Sequence, residues 1–382
     1  MRQRERGSVR VAIVAESFLP RINGVTNSVC RVLERLAELG YEALVIAPAP
    51  GPEEYAGHRV EVVRAVALPG YKSFPIGLAT AGRIEKLLAS FAPDVVHLAS
   101  PVILGGAGAF AARRLEIPSV AVFQTDLAAF ARRYRLWRTV GDETIWSWLR
   151  AVHTLADRTL VPSTATMAQL AARGFPRLAR WGRGVDLERF HPRHRDEAMR
   201  AELSPGGEVV VGYVGRLAAE KQVERLVALR GLPGVRLAVV GEGPGEGELR
   251  AALPDAAFLG FLTGAQLSRA YASLDVFVHP GADETFCQAI QEAMASGVPV
   301  VASASGGPLD LVRPGRTGFL VAPEDDARLS RAVGLLAGDA VLRRQFASAA
   351  RASVLGRSWD VVVDELLEHY AQVIAHRTHA AA

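Results

Sequence analysis

The sequence predicts an α/β protein of two doubly wound, Rossmann-like domains facing each other across a cleft, and three observations carry that prediction. Short β-branched runs alternate with longer amphipathic segments, the pattern of parallel βαβ units. The series stops at a polar stretch near mid-chain and then restarts. With 382 residues, 49% of them hydrophobic, the chain can fill two cores of ordinary size.

In the first half, strands are expected at "RVAIVA" (10–15), "EALVIAP" (42–48), "VEVVRAV" (60–66), "DVVHLAS" (94–100), "SVAVFQT" (119–125) and "RTLVPS" (158–163). The second series comprises "VVVGYVG" (209–215), "VRLAVVG" (235–241), "AAFLGF" (256–261), "DVFVHP" (275–280), "VPVVAS" (298–303) and "GFLVA" (318–322). The polar segment 186–207 reads as a linker. Domains are therefore expected at 1–188 and 189–358, with 359–382 as a final helix. Its stretch "SWDVVVDELLEHYAQVIAH" (358–376) has an apolar stripe with acids opposite, which suits packing back on a domain.

Several classes of protein are disfavoured. The longest apolar window, Val95 to Ala112, is broken by His97, Pro101 and three glycines and does not read as a membrane span. The basic N-terminus lacks the pattern of a cleaved leader. Cys30 and Cys287 make no disulfide framework, and no Cys/His cluster has metal-ligand spacing. A cytoplasmic protein without metal, cofactor or nucleic-acid partner is the expectation. Residues 1–186 carry 24 basic against 16 acidic side chains, and the remainder 20 against 24. The basic half suits an anionic partner such as an acidic membrane surface, or simply solvated arginines. "FARRYRLWRTVGDETIWSWLRAV" (130–152) interleaves Arg132, Arg133, Arg135 and Arg138 with Tyr134, Trp137, Trp146 and Trp148, a mix suited either to a headgroup interface or to a core.

In an open α/β sheet, ligands bind outside the carboxyl ends of the strands, so the βα loops hold the candidate residues. In "VGRLAAEKQVERLVAL" (214–229), Gly215, Arg216 and Lys221 stand between a strand end and a predicted amphipathic helix, where two cations can meet a diphosphate. Only three of the 44 basic residues are lysine, which singles out position 221. "GEGPGEGEL" (241–249) offers Gly241 and Gly243 but has Glu246 where a dinucleotide fingerprint needs glycine, so it is either a nucleotide contact or a turn. "DETFCQAIQEAMASGVPV" (283–300) reads as a helix starting near Thr285. Its first amides, at Phe286 and Cys287, suit a phosphate, with Glu284 just before it and Glu292 about 12 Å further along. One carboxylate can accept from sugar hydroxyls, the other from a ribose diol. In the first half, Asn23 and Gly24 precede a helix after the first strand, where Gly24 lets the backbone approach a phosphate or the reacting sugar, while Gln124 and Asp126 follow another strand as substrate contacts, or as part of a helix cap made by Thr125 or Asp126.

On these residues the chain resembles glycosyltransferase family 4, retaining enzymes of the GT-B fold. The resemblance rests on the E-x7-E pair Glu284 and Glu292, on "GRLAAEK" with Arg216 and Lys221, and on "SGGPLDLV" with Gly306 and Gly307. It implies that Arg216 and Lys221 hold the donor diphosphate, that Glu284 touches the sugar and Glu292 the ribose, and that the last helix crosses back to the first domain. More narrowly, "RVAIVAESFLPRINGVTNSV", "DVVHLASP", "VAVFQTD" and "WGRGVD" are similar to the actinobacterial GDP-mannose-dependent α-mannosyltransferases that act on lipid acceptors. The chain departs from its relatives at three points. Gln124 stands where many have His, Gly24 is single where they have a Gly pair, and Asp310 replaces a frequent Glu.

The function so implied is retaining transfer of a hexose, mannose from GDP-mannose, to a hydroxyl of a lipid or glycolipid at the inner face of the membrane. Arg216, Lys221 and Glu284 are the expected catalytic residues. Asn23, Gln124 and Asp126 are expected on the acceptor or sugar side. A UDP-sugar donor, a GT-B epimerase or phosphorylase, and a non-enzymatic nucleotide-sugar-binding scaffold remain open alternatives.

Overall fold

The computed structural model describes residues 9–68, 71–127 and 141–381. The chain divides into two compact units. One comprises the described residues up to Pro162, together with Thr166–Gly182 and the chain from Asp360 onward; the other comprises Ser163–Ala165 and Arg183–Trp359.

The first unit is built on β1 (Arg10–Ala15), β2 (Glu42–Pro48), β3 (Glu54–Tyr55), β4 (His58–Val63), β7 (Val95–Ala99), β8 (Ser119–Val122), β9 (Arg158–Val161) and β10 (Leu178–Arg180). Their order is β10-β9-β8-β7-β1-β2-β4-β3, parallel throughout except where β3 pairs antiparallel with β4. Val11 to Ala15 are fully buried, because helices cover both faces of a doubly wound sheet. The predicted run 60–66 divides: β4 ends at Val63, and β5 (Ala65–Leu68) turns away to pair antiparallel with β6 (Tyr71–Gly77).

The second unit holds a fully parallel sheet of β11 (Val209–Val214), β12 (Val235–Val240), β13 (Ala257–Gly260), β14 (Val276–His279), β15 (Val300–Ser303) and β16 (Gly318–Val321), in the order β13-β12-β11-β14-β15-β16. Its two faces carry separate apolar clusters, one around Phe277, Ile290 and Met294 and the other around Tyr213, Leu226 and Val333. The segment 186–207 is not a bare linker. His191 caps a 3-10 turn, Asp196 caps the helix Glu197–Leu203, and Phe190 and Leu203 lie in the core of this unit. Its polar residues are caps and a solvated face around few apolar anchors.

The last helix spans Trp359–Ala381, five residues beyond the amphipathic stretch quoted and within the expected 359–382. Val362, Val363, Leu366, Tyr370 and Val373 are buried on one face. Trp181 Nε1 donates to Val362 O at 2.8 Å, Tyr370 Oη lies 2.5 Å from His97 Nδ1, and Arg35 forks onto Asp364. Among the described residues, no helix is long and apolar enough to cross a membrane. Of the aromatic and basic series in 130–152, Arg132, Arg133, Tyr134, Arg135, Trp137 and Arg138 lie outside the described residues. Trp146 is a core residue stacked on Phe123, which removes it from any interface, whereas Trp148 is half exposed.

Tyr370→Phe deletes a buried partner of His97 while keeping the ring. The first unit should lose about 1–3 kcal/mol of stability, read by equilibrium denaturation with intrinsic tryptophan fluorescence. An unchanged midpoint would show that the hydroxyl does not anchor the helix.

Candidate active site

In the second sheet the chain moves from β11 out to β12 and β13, then returns to place β14 on the other side of β11. The loops leaving β11 and β14, 215–222 and 280–287, therefore flank the topological switch point, where such sheets bind ligands. The glycines around it have a steric cause. A Cβ on Gly241 would lie 2.0 Å from Gly215 O, and Gly215 N and Leu217 N continue the strand ladder onto Val240 O and Glu242 O. This packing of loop on loop accounts for the glycine-rich stretch without a nucleotide.

Glu284 is held in the same way. A Cβ on Gly306 (φ 61°) would meet Glu284 O at 2.0 Å, one on Gly307 would meet Phe286 O at 2.1 Å, and Gly307 N donates to Glu284 O at 2.8 Å. These contacts keep residues 284–287 out of helical geometry. The helix begins at Gln288 and ends at Ala295, and Cys287 precedes it in the left-handed region at φ 75°. The predicted start near Thr285 is thus corrected. Thr285, Phe286 and Cys287 form a turn, the free amides of the helix start at Gln288, and helical rise does not measure the separation of Glu284 from Glu292. The expected amphipathic helix after Arg216 is likewise two 3-10 turns, Ala219–Lys221 and Val223–Leu229, broken by Gln222 at φ 50°.

Lys221 Nζ donates to Glu284 Oε1 at 2.6 Å, and His279 Nε2 sits 3.0 Å from the same oxygen, misaligned for a hydrogen bond. Burial alone would raise the Glu284 pKa, but the Lys221 charge and the His279 ring overcome it and hold the carboxyl well below the usual range. Burial alone would lower the pKa of Lys221, and the charge and hydrogen bond of Glu284 hold it above the usual range instead. Glu292 behaves oppositely. Burial pushes its carboxyl up to about 7 against the 2.9 Å hydrogen bond donated by Tyr271 Oη. Cys287 lies among Glu284, Lys221 and Glu292, and burial first, then Glu284, pushes its thiol well above the ordinary value. Arg216, two-fifths exposed, forms an ion pair with Glu220.

In the first unit the order reverses between β1 and β7, and the loops after β1, β7 and β8 share the carboxyl edge. Asn23 Oδ1 accepts from Val25 N and Thr26 N at 3.0 Å as the cap of the helix Gly24–Glu38, and its Nδ2 donates to Ser17 Oγ at 2.7 Å. Its side chain therefore also caps this helix. Among the described residues, a Cβ on Gly24 would meet no atom within 4 Å. Gln124 is buried, and Asp126 accepts from Gln169 Nε2 at 3.2 Å.

Lys221, Glu284 and Cys287 thus converge in one place, with Glu292 beyond them, while Asn23, Gly24, Gln124 and Asp126 belong to the other unit. Sequence reasoning missed His279, stacked on Tyr213 with ring centroids 6.0 Å apart, and Tyr271. It also missed Glu16, which is buried and accepts from Val102 N at 2.7 Å and Gly105 N at 2.8 Å. A histidine or glutamate closing a buried strand beside a switch point was the available signal.

The description "Glycosyltransferase Family 4" matches residues 22–189, and "Glycosyl transferases group 1" matches residues 194–353. The GDP-mannose-dependent alpha-mannosyltransferase of Mycobacterium tuberculosis is 52% identical over 98% of this chain and 99% of its own length. The protein of the same name from Mycolicibacterium smegmatis is 51% identical over 98% of this chain and 100% of its own. Among solved structures, a sucrose-phosphate synthase from Thermosynechococcus elongatus superposes with a TM-score of 0.80 at 22% identity, covering 96% of this chain and 100% of that one, which establishes the shared GT-B fold. The chain belongs to the glycosyltransferase family that includes the GDP-mannose-dependent alpha-mannosyltransferases.

Proposed function

We propose that this enzyme transfers a mannosyl group from GDP-mannose to a hydroxyl of a lipid or glycolipid, with retention of the α configuration. The observation that carries the proposal is the buried Lys221–Glu284 pair at the switch point, in a chain half identical to enzymes of that name. The bond from the anomeric carbon to the diphosphate breaks as the acceptor oxygen bonds on the same face, and the acceptor proton passes to the departing phosphate oxygen. Lys221 and Arg216 stabilise the charge that grows on the diphosphate, the effect expected to dominate such catalysis. Gly215, Gly241 and the turn Thr285–Cys287 line the phosphates, Glu284 accepts from sugar hydroxyls and Glu292 from the ribose diol. Asn23, Gln124 and Asp126 serve the sugar or acceptor side, and Gly24 lets the backbone approach the donor. The basic first half favours an anionic membrane surface as the place where a lipid acceptor is met.

Release of GDP from GDP-mannose, in preference to UDP from UDP-sugars, is the direct test. Lys221→Ala and Arg216→Ala should each lower turnover about a hundred- to thousandfold. Turnover within threefold of the parent would remove that residue from the diphosphate.

The glutamates should separate. Glu284→Gln should lower turnover more than GDP affinity, whereas Glu292→Gln should weaken GDP by about 1–3 kcal/mol. Because the Glu292 carboxyl is raised to about 7, the parent should bind GDP more tightly as pH rises through that value, and calorimetry on the Gln variant should show this gain flattened. Stability carries the opposite sign. The folded state keeps a proton that the unfolded chain releases from its ordinary 4.5 upward, so Glu292 makes folding less favourable as pH climbs to about 7. The Gln variant should therefore gain on the parent across that window. Equal GDP affinities of both variants at all pH values would contradict the assignment.

Association with the membrane is read by co-sedimentation with vesicles. Binding should require anionic lipid, fall with salt, and weaken when Arg132, Arg133 and Arg135 become Gln. Equal binding to neutral vesicles would exclude the electrostatic contact.

A further inference from the structure

His279 is only 2% exposed, yet among the described residues neither ring nitrogen makes an aligned hydrogen bond, Nε2 meeting only the Glu284 carboxylate at 3.0 Å and Nδ1 no polar partner. A buried polar atom left without a partner is unfavourable, so a ligand that engages it is favoured. The ring sits beside Glu284, and one ligand atom each from His279, Glu284 and Cys287 lie within 4.8 Å of one another. Their spacing, H-x4-E-x2-C, places an imidazole, a carboxylate and a thiol around one point. The geometry points to a binding site for a thiophilic divalent cation of the zinc class on His279, Glu284 and Cys287, one that excludes the nucleotide.

Three protein ligands with an open fourth position suit zinc. His279 Nε2 and Glu284 Oε1 are already 3.0 Å apart, a spacing two ligands of one ion can share. The ion displaces the Lys221 ammonium from Glu284, and Lys221, whose side chain is one quarter exposed, can turn to solvent. As the metal–sulfur bond forms, the Cys287 thiol gives its proton to the buffer, so metal dipositive charge meets two anionic ligands and a neutral imidazole. Exclusion of the nucleotide rests on the donor reading above, because the ion would occupy the carboxylate and dislodge the lysine assigned to the diphosphate.

Cobalt(II) is the probe, since a cobalt–thiolate bond absorbs in the near ultraviolet. Titration of the full chain should give that band, saturating at one equivalent. The band should vanish in Cys287→Ala, persist in Cys30→Ala, and need at least about tenfold more cobalt in His279→Gln, a loss no smaller than that from disturbing a ligand's outer partners. Circular dichroism of each variant checks that it is folded. Absence of a thiolate band in the folded parent, or its survival in Cys287→Ala, overturns the site. Excess GDP should raise the free cobalt concentration needed, after subtraction of the ion that the diphosphate itself chelates, at least fivefold; a free-ion midpoint indifferent to GDP overturns the exclusion. Failure of GDP to bind metal-free protein by calorimetry would instead overturn the donor reading and leave the cobalt result standing.

Discussion

Lys221 and Glu284 form the contact around which the second unit's loops are arranged. Taking a carboxylate out of water costs several kcal/mol, recovered only if a partner of opposite charge is held in close geometry. Here the partner comes from the loop after β11 and the carboxylate from the loop after β14, so the two strands flanking the switch point must stay in register. The supporting contacts all serve that end. Gly306 and Gly307 press on the backbone of 284–286, and buried Arg225 donates to Pro280 O at 2.9 Å while pairing with Asp326. Tyr213 Oη donates to Arg216 O at 3.0 Å, under the loop that carries both cations.

These contacts mark the limit of what could be read in advance. Strands 10–15 and 42–48 were legible to the residue, because a strand buried on both faces declares itself by composition alone. The acids of the E-x7-E pair and the cations of "GRLAAEK" were legible as a set by spacing and by resemblance. The geometry between them was not. The start of the helix at Gln288 is decided by carbonyls meeting glycines some twenty residues away, and a 3.6-residue period contains no trace of such a contact. The same holds after Arg216, where an amphipathic pattern suited to a helix is folded as 3-10 turns around Gln222. The pairing of Arg216 with Glu220 also changes the meaning of charge there, since a cation four residues from a buried acid is already compensated.

The glycine-rich stretch at 241–245 teaches a related lesson. Its residues invite a phosphate-binding reading, yet Gly241 is required by the carbonyl of Gly215 whatever ligand is present. Gly24 is the converse case, a glycine at which an added Cβ would meet no atom of the described residues. Steric need therefore separates glycines that build the scaffold from those that leave space, a distinction composition cannot make.

Each proposed diphosphate-binding cation rests on an acid of the same unit, Lys221 on Glu284 and Arg216 on Glu220. On the proposed reading an incoming diphosphate competes with Glu284 for Lys221, and the carboxylate is then left less compensated and still poorly solvated. Hydrogen bonds to a charged buried group contribute about 1.5–3 kcal/mol, so Glu284 then gains most from neighbouring hydroxyl donors. On the proposed reading those donors are the hydroxyls of the sugar. Diphosphate and sugar are thereby coupled through one side chain: an intact nucleotide sugar satisfies both the lysine and the glutamate, whereas a nucleoside diphosphate satisfies the first and strands the second. A site built in this way favours the whole donor over its own leaving group, with no residue added beyond the pair that holds the loops together.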